Sequence, residues 1–355
     1  MYQFKLYTFA KVFKKVINPD IIKSGIRFSA NINGGLGNFN ISLNSPINDT
    51  SYTIGDIVEV THFIGSAEIK IYAGYISEIN RIITNNEEIE LVCYGLNALL
   101  SKVVYESAWN YSPTLSWDPY TLINTIITHA NTRFNYFTVD GATVGSTVSY
   151  ETQNNTSLGA ISDITELADS HYFYVDKYSV QFRPLPTVAT HTFTLAKDII
   201  DLNISTDESS VSNRLILEYA GGTEVYEDSA SIALYGARET YKQDTRITNL
   251  TTADEYGANF LLQNKDPVEK ISLRLKRLEW GEWLPIDDWW EIDTLGEIDF
   301  IGVKSFYLIK PGESCKIRNI KNAYDNLIIH KIDYTDEICT ISLNKYEDFI
   351  SLIKQ

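Results

Sequence analysis

Two hydrophobic periods divide this chain. From Ile26 to Leu99 apolar residues recur at every second position, as in Ile26, Phe28, Ala30 and Ile32, then Phe39, Ile41 and Leu43, then Ile89, Leu91 and Cys93. That spacing lines one face of a pleated strand, so the region predicts half-buried strands. Gly34, Gly35 and Gly37 lie between two of them and predict a hairpin turn. A phosphate loop is the weaker reading, because a strand follows the glycines and no Lys-Ser/Thr does.

The period lengthens at Asp118-Pro119, an N-cap with proline at the first helical position. Leu122, Ile123, Ile126, Ile127 and Ala130 follow on one helical face. A second helix is predicted from about Ser157, with Leu158, Ile161, Ile164, Leu167 and Ala168 inward, leading into a hairpin of Tyr172 to Val175 and Val180 to Phe182. Leu215, Leu217 and Tyr219 then alternate as a strand, and Thr252 with Glu255 predicts a capping box before Tyr256, Phe260 and Leu261. Strand patterns resume after Pro267, in Ile271, Leu273 and Leu275 and from Cys315 to Leu343, and a short helix is predicted near Tyr346 to Ile353.

One similarity spans the chain. Gly55-Asp56-Ile57-Val58-Glu59-Val60 resembles Gly312-Glu313-Ser314-Cys315-Lys316-Ile317, each opening a strand with a glycine and an acid. A later strand follows in both, with Ile76 and Ile79 in one and Ile329 and Ile332 in the other. A third then closes each unit, with Leu91 and Cys93 matched by Ile341 and Leu343. The fold class this predicts is mainly β with α+β character: two similar small β-barrels bracketing an α/β middle. The segments expected are 1–105 as a first barrel, 106–200 as α/β, 201–265 as strand and helix, and 266–355 as a second barrel carrying an insertion at 280–299.

Composition narrows the function. The chain has 355 residues, enough for two or three cores, and 44% hydrophobic residues, which argues against disorder. Its net charge of −16 and scattered basic residues argue against sequence-specific nucleic-acid binding. Cys93, Cys315 and Cys339 stand alone, far from disulfide or zinc spacing, and read as small core hydrophobes. Lys5, Lys11, Lys14 and Lys15 interrupt the first apolar run, so neither a signal peptide nor a membrane insertion is expected, and assembly in a cytoplasm is.

Catalytic motifs are not found: there is no Gly-x-Ser-x-Gly, HExxH, Walker loop or EF-hand spacing, and His62, His129, His171, His191 and His330 are dispersed. No catalytic residue, metal or cofactor is expected. The most suggestive cluster is Trp280, Trp283, Trp289 and Trp290 among Glu282, Asp287, Asp288, Glu291 and Asp293. Indoles stack on sugar rings and paired carboxylates cleave glycosidic bonds, but sequence adjacency does not set the carboxylate separation that cleavage needs. An interface loop is the preferred reading, since tryptophan is enriched at buried contacts.

The stretch Ser212-Asn213-Arg214-Leu215-Ile216-Leu217-Glu218-Tyr219, followed by Asp228-Ser229-Ala230-Ser231-Ile232-Ala233-Leu234-Tyr235-Gly236-Ala237-Arg238-Glu239, resembles the tail hub or tail-tip proteins of phages and contractile injection systems. In that pattern an Asn-Arg strand and a Tyr-Gly-x-Arg-Glu segment precede a helix, here Ala253 to Leu262, and a strand led by Pro267. The resemblance extends to Gly55, Asp56, Phe63, Gly74, Ile76 and Ile79, and to Pro311, Gly312 and Glu313 through Leu343. The Trp- and acid-rich insertion has no counterpart in it.

The resemblance implies a homotrimeric ring in the virion tail, in which two similar barrels per subunit present six near-equivalent units to a hexameric tail tube. It implies as partners a tail tube protein, a distal tail protein and a spike or central fibre protein, any puncturing or lytic domain being a separate chain. Acids lining such a ring would repel phosphates and let DNA pass. Two alternatives stay open: a carbohydrate-binding or glycan-cleaving tail protein that uses Trp289 and Asp288, and the hub of a non-viral injection machine.

Overall fold

The computed structural model describes residues 1–64, 67–83, 86–104, 117–144, 147–148, 155–168, 171–195, 197–207, 211–244, 250–276, 290–292, 298–300, 305–320 and 324–345. The chain forms two compact units, one of residues 1–201 with 273–341 and one of residues 202–272 with 342–355. The fold is mostly β and is built on two curled half-barrel sheets.

The first third of the chain supplies β1 (Tyr2–Tyr7), β2 (Phe13–Ile17), β3 (Arg27–Asn31), β4 (Gly34–Gly35), β5 (Phe39–Leu43), β6 (Ile57–Ile64), β7 (Ala67–Ile83) and β8 (Glu87–Gly95). Six of them form an antiparallel sheet in the order β2-β1-β6-β7-β8-β5. The two-residue alternation is realised: Phe39, Ile41, Leu43, Ile89, Leu91 and Cys93 are all buried. The glycine-rich stretch reverses the chain one step early. Its turn falls at Ile32 and Asn33, Asn33 takes φ +52°, and Gly34 and Gly35 are already extended and pair parallel to a later strand. A side chain on Gly35 would lie 2.9 Å from the Val175 carbonyl, so the glycines serve a close backbone approach.

The middle of the chain adds α1 (Asn97–Leu100), α2 (Pro119–Asn131), β9 (Thr138–Gly141), α3 (Ser157–Leu167), β10 (His171–Asp176) and β11 (Ser179–Pro184). Asp118 caps α2 through a bond from the Thr121 N–H, and Pro119 occupies the first turn, where no intrahelical donor is lost. Leu122, Ile123, Ile126, Ile127 and Ala130 face Ala160, Ile161 and Ile164 of α3 and Phe173, Val175, Val180 and Phe182 of the β10-β11 hairpin in one core. The expected helix-helix-hairpin order is present.

Next come β12 (His191–Thr194), β13 (Ile199–Asp207), β14 (Arg214–Tyr219), β15 (Gly222–Glu227), α4 (Ser229–Tyr235), β16 (Glu239–Asp244), α5 (Leu250–Asn264) and β17 (Val268–Lys276). Helix α5 begins before Thr252, which therefore lies inside the helix and not at its N-cap; helix ends are legible only to within a residue or two. The remaining strands are β18 (Trp290–Ile292), β19 (Ile298–Phe300), β20 (Ser314–Arg318), β21 (Tyr324–Thr335) and β22 (Ile338–Lys345). The second large sheet runs β12-β20-β21-β22-β17-β13, with β3 paired to β21. The helix expected near Tyr346 to Ile353 lies outside the described residues.

Strand β3 joins the two ends of the chain. It pairs antiparallel with β21, from Asn31 opposite Lys331 to Arg27 opposite Thr335. Its Phe28 ring lies 4.8 Å from Tyr334, 5.3 Å from Tyr72, 6.3 Å from Tyr307 and 6.4 Å from Phe39. Aromatic pairs at such spacings add to the stabilisation from burial. Phe28→Ala should therefore cost ~3–5 kcal/mol in urea unfolding, as large-to-small core changes do. A loss under ~1 kcal/mol would show that this cluster does not hold the sheets together.

Candidate functional site

The sequence repeat marks two turns built alike. In the first, Thr53-Ile54-Gly55-Asp56, the Asp56 N–H donates to the Thr53 carbonyl at 3.0 Å and Gly55 takes φ +92°. In the second, Lys310-Pro311-Gly312-Glu313, the Glu313 N–H donates to the Lys310 carbonyl at 3.3 Å and Gly312 takes φ +88°. These are turns of the type that demands positive φ at the third residue, with proline favoured before it.

Each acid then folds back on its own turn. Asp56 Oδ2 accepts from the Thr53 N–H at 2.9 Å, and Glu313 Oε2 from the Lys310 N–H at 2.8 Å. A cationic or imidazole partner completes both: Lys14 Nζ lies 2.6 Å from Asp56, and His191 Nε2 lies 2.7 Å from Glu313.

The turns are clamped to the next strand by the same two bonds. Gly55 N–H donates to the Ile76 carbonyl at 2.8 Å and Ile76 N–H to the Asp56 carbonyl at 2.8 Å. Gly312 N–H donates to Ile329 at 2.7 Å and Ile329 N–H to Glu313 at 2.9 Å. The register continues in step, Ile57 opposite Tyr75 and Val58 opposite Gly74 in one module, Ser314 opposite Ile328 and Cys315 opposite Leu327 in the other. Strands β8 and β22 then follow as the third strands, with Leu91, Cys93, Ile341 and Leu343 buried.

The modules differ at their edges. The first opening strand, β6, has β1 antiparallel on its other side, whereas β20 has β12 parallel. The strand bulge falls between Val60 and Thr61 in one and between Cys315 and Ile317 in the other. Gly74 belongs to the first module only, where a side chain would meet the Tyr94 carbonyl at 2.4 Å; Leu327 holds the matching position.

The other motif residues meet in the second unit. Asn213 is fully buried, and its Nδ2 donates to the Gly236 carbonyl at 2.8 Å and to Ser231 Oγ at 3.1 Å while its Oδ1 accepts from Arg238 N–H at 2.8 Å. Every polar atom of that amide is satisfied, which makes it the pin of the motif. Asp228 caps α4, which the sequence reading did not foresee, and Lys265 pairs with it at 3.0 Å. Gly236, at φ +75°, ends the helix, and the Tyr235 carbonyl accepts from Arg238 Nε at 3.3 Å. Arg214 bridges Glu227, at 3.4 Å, and Glu239. Pro267 precedes β17 directly. Trp280, Trp283 and Trp289 lie outside the described residues, and Trp290 opens β18 opposite Phe300.

Beside the second turn, Lys310 Nζ stands 3.5 Å from Asp176, which also pairs with Lys177. Burial raises the Asp176 carboxyl, but Lys310 and Lys177 outweigh it and hold the group below its ordinary value of 3.8. Burial, with help from Lys310, pushes the Lys177 ammonium down to about 8. Burial raises the Tyr172 phenol to about 12. Among the described residues no group of three His, Cys, Asp or Glu side chains is placed to hold a metal, and no helix is long and apolar enough to cross a membrane.

Three solved structures share this architecture over nearly their whole length. The 43 kDa tail protein of prophage MuSo2 from Shewanella oneidensis aligns at TM-score 0.63 and 12% identity, over 98% of each chain. The tail protein from Neisseria meningitidis MC58 aligns at 0.60 and 9%, over 99% of this chain and 98% of that one. This chain has the fold of phage tail proteins. The prophage tail protein gp18 from Listeria monocytogenes EGD-e extends the likeness to this fold, at 0.56 and 13%, over 99% and 97%. No protein-family model and no curated protein matches the sequence. The tail-protein fold agrees with the resemblance carried by the motifs.

The two turn glycines are not equally placed, which makes them testable. A side chain at Gly55 would meet only Phe9 at 3.6 Å, whereas one at Gly312 would fall 1.9 Å from the Tyr172 ring. Gly55→Ala should cost ~1–2 kcal/mol from backbone conformation alone. Gly312→Ala should cost ~1–3 kcal/mol more from overpacking. Equal losses in chemical denaturation would contradict the geometry. The depressed Asp176 carboxyl contributes stability that is full above its ordinary value and lost as pH falls through its folded value. Asp176→Asn should thus flatten the acid limb of the stability profile below the carboxyl's ordinary value of 3.8, and an unchanged limb would refute the pairing.

Proposed function

We propose that this chain is a structural subunit of a phage tail, a hub at the distal end of the tail tube. The observation that carries the proposal is the duplicated turn module, with matched backbone bonds, matched acids and matched register at the two ends of one chain. Three copies of a chain with two such modules offer six near-equivalent surfaces to a sixfold tube. Closed symmetric rings are a common outcome of self-association. Above the ring stand the tail tube and distal tail proteins, and below it a spike or central fibre protein.

Gly55, Asp56, Gly312 and Glu313 set the modules, while Asn213, Arg214, Tyr235, Gly236, Arg238 and Glu239 brace the second unit. None of these residues performs chemistry in this reading. The net charge of −16 supplies acids for a ring lumen that repels DNA phosphates during ejection.

Native mass spectrometry of the purified chain should give a trimer, and a phage lacking the gene should make no infectious tails. A strict monomer, or normal infectious tails without the chain, would overturn the proposal.

A further inference from the structure

Two groups of exposed apolar side chains sit among residues of opposite charge. The β1-β2 hairpin presents Phe9, Val12, Phe13 and Val16, of which Val12 is 62% and Phe13 55% exposed. Residues 1–19 carry Lys5, Lys11, Lys14 and Lys15 with no Asp or Glu among them. Lys14 and Lys15 also reach back to Asp56 and Asp49, and Lys11 lies over the Tyr178 ring. Strand β2 is the outer strand of its sheet, so among the described residues one of its edges has no neighbouring strand.

The second unit shows the complement. In the sheet β15-β14-β16, Leu215 and Leu217 face α5, so Arg214, Ile216 and Glu218 point the other way. Register places Val225 and Tyr241 on either side of Ile216, a continuous apolar row. Val225 is 48% and Tyr241 58% exposed. The flanking rows are Glu227-Arg214-Glu239 and Thr223-Glu218-Gln243, three carboxylates against one guanidinium. Such an apolar centre in a charged rim is the anatomy of a protein interface.

We infer that the β1-β2 hairpin of one copy docks on the open face of β15-β14-β16 of the next copy, forming the head-to-tail contact of the ring. The inference rests on the hub reading and adds to it the two surfaces that meet. Charge complementarity selects this occupant: beyond Lys14 and Lys15, which pair with Asp56 and Asp49, the hairpin carries Lys5 and Lys11 on a chain of net charge −16, and the face is acidic. Because the two surfaces differ, the contact is heterologous, and each copy keeps one of each free for the next.

Phe13→Glu removes the hairpin surface and Tyr241→Glu removes the face, both at exposed positions. Each variant alone should be a folded monomer, with an unchanged circular dichroism spectrum, where the wild type is a trimer. Mixed, they should form a 1:1 heterodimer and nothing larger, because the pair retains one intact hairpin and one intact face. The heterodimer also excludes misfolding as the reason for dissociation. A wild-type trimer that persists in either variant, or folded monomers that fail to pair when mixed, would overturn this interface and leave the hub reading standing. A monomeric wild type would overturn both.

Discussion

The rest of this structure depends on one local constraint, a turn whose third residue must sit at positive φ and whose fourth is an acid that accepts from the turn's own first N–H. Glycine meets the first demand without steric cost. The acid meets the second, and the same carboxylate oxygen also meets Lys14 in one module and His191 in the other. Each turn is then fixed to the following strand by two backbone bonds, at Ile76 and at Ile329. Net hydrogen-bond contributions are ~1 kcal/mol each, so the clamp acts less through strength than through register. A slip of one residue would turn Ile76 and Cys93, or Ile329 and Leu343, out of the core.

From that constraint follows a division of labour. Two modules with the same inner geometry are dressed with different edges, β1 and β2 on one side and β12 on the other. The inner strands supply likeness and the edges supply difference. Strand β3 ties the modules into one unit through Phe28, pairing residues near 30 with residues near 330. Contacts so distant in sequence close late and slowly in folding. The α/β middle, whose helices and hairpin are local, can form its core before the second module is complete.

Much of this was legible in the sequence, and the limits have physical causes. Two-residue alternation gave the burial of Phe39, Ile41 and Leu43, and Asp118-Pro119 gave the start of α2, because both signals are local. The glycine-acid repeat was visible because the turn demands those residue types. Lys14 and His191 were not foreseen, since the contacts that bring them to Asp56 and Glu313 span 42 and 122 residues. Helix α4 was read only as motif, for its seven residues are too few to show a helical period. The pairing of β3 with β21 was also hidden: alternation reports a strand's faces and says nothing of its neighbour. The tryptophan-rich insertion could be named from sequence, but its described part is a short two-strand pair.

The most direct measurement is a cryo-electron microscopy map of the tail tip in an assembled particle. The account predicts three copies of this chain in one ring, with the turns at Gly55 and Gly312 alternating at equal radius and height to make six like positions under the tube. A different copy number, or the two turns at unlike distances from the tube axis, would contradict it.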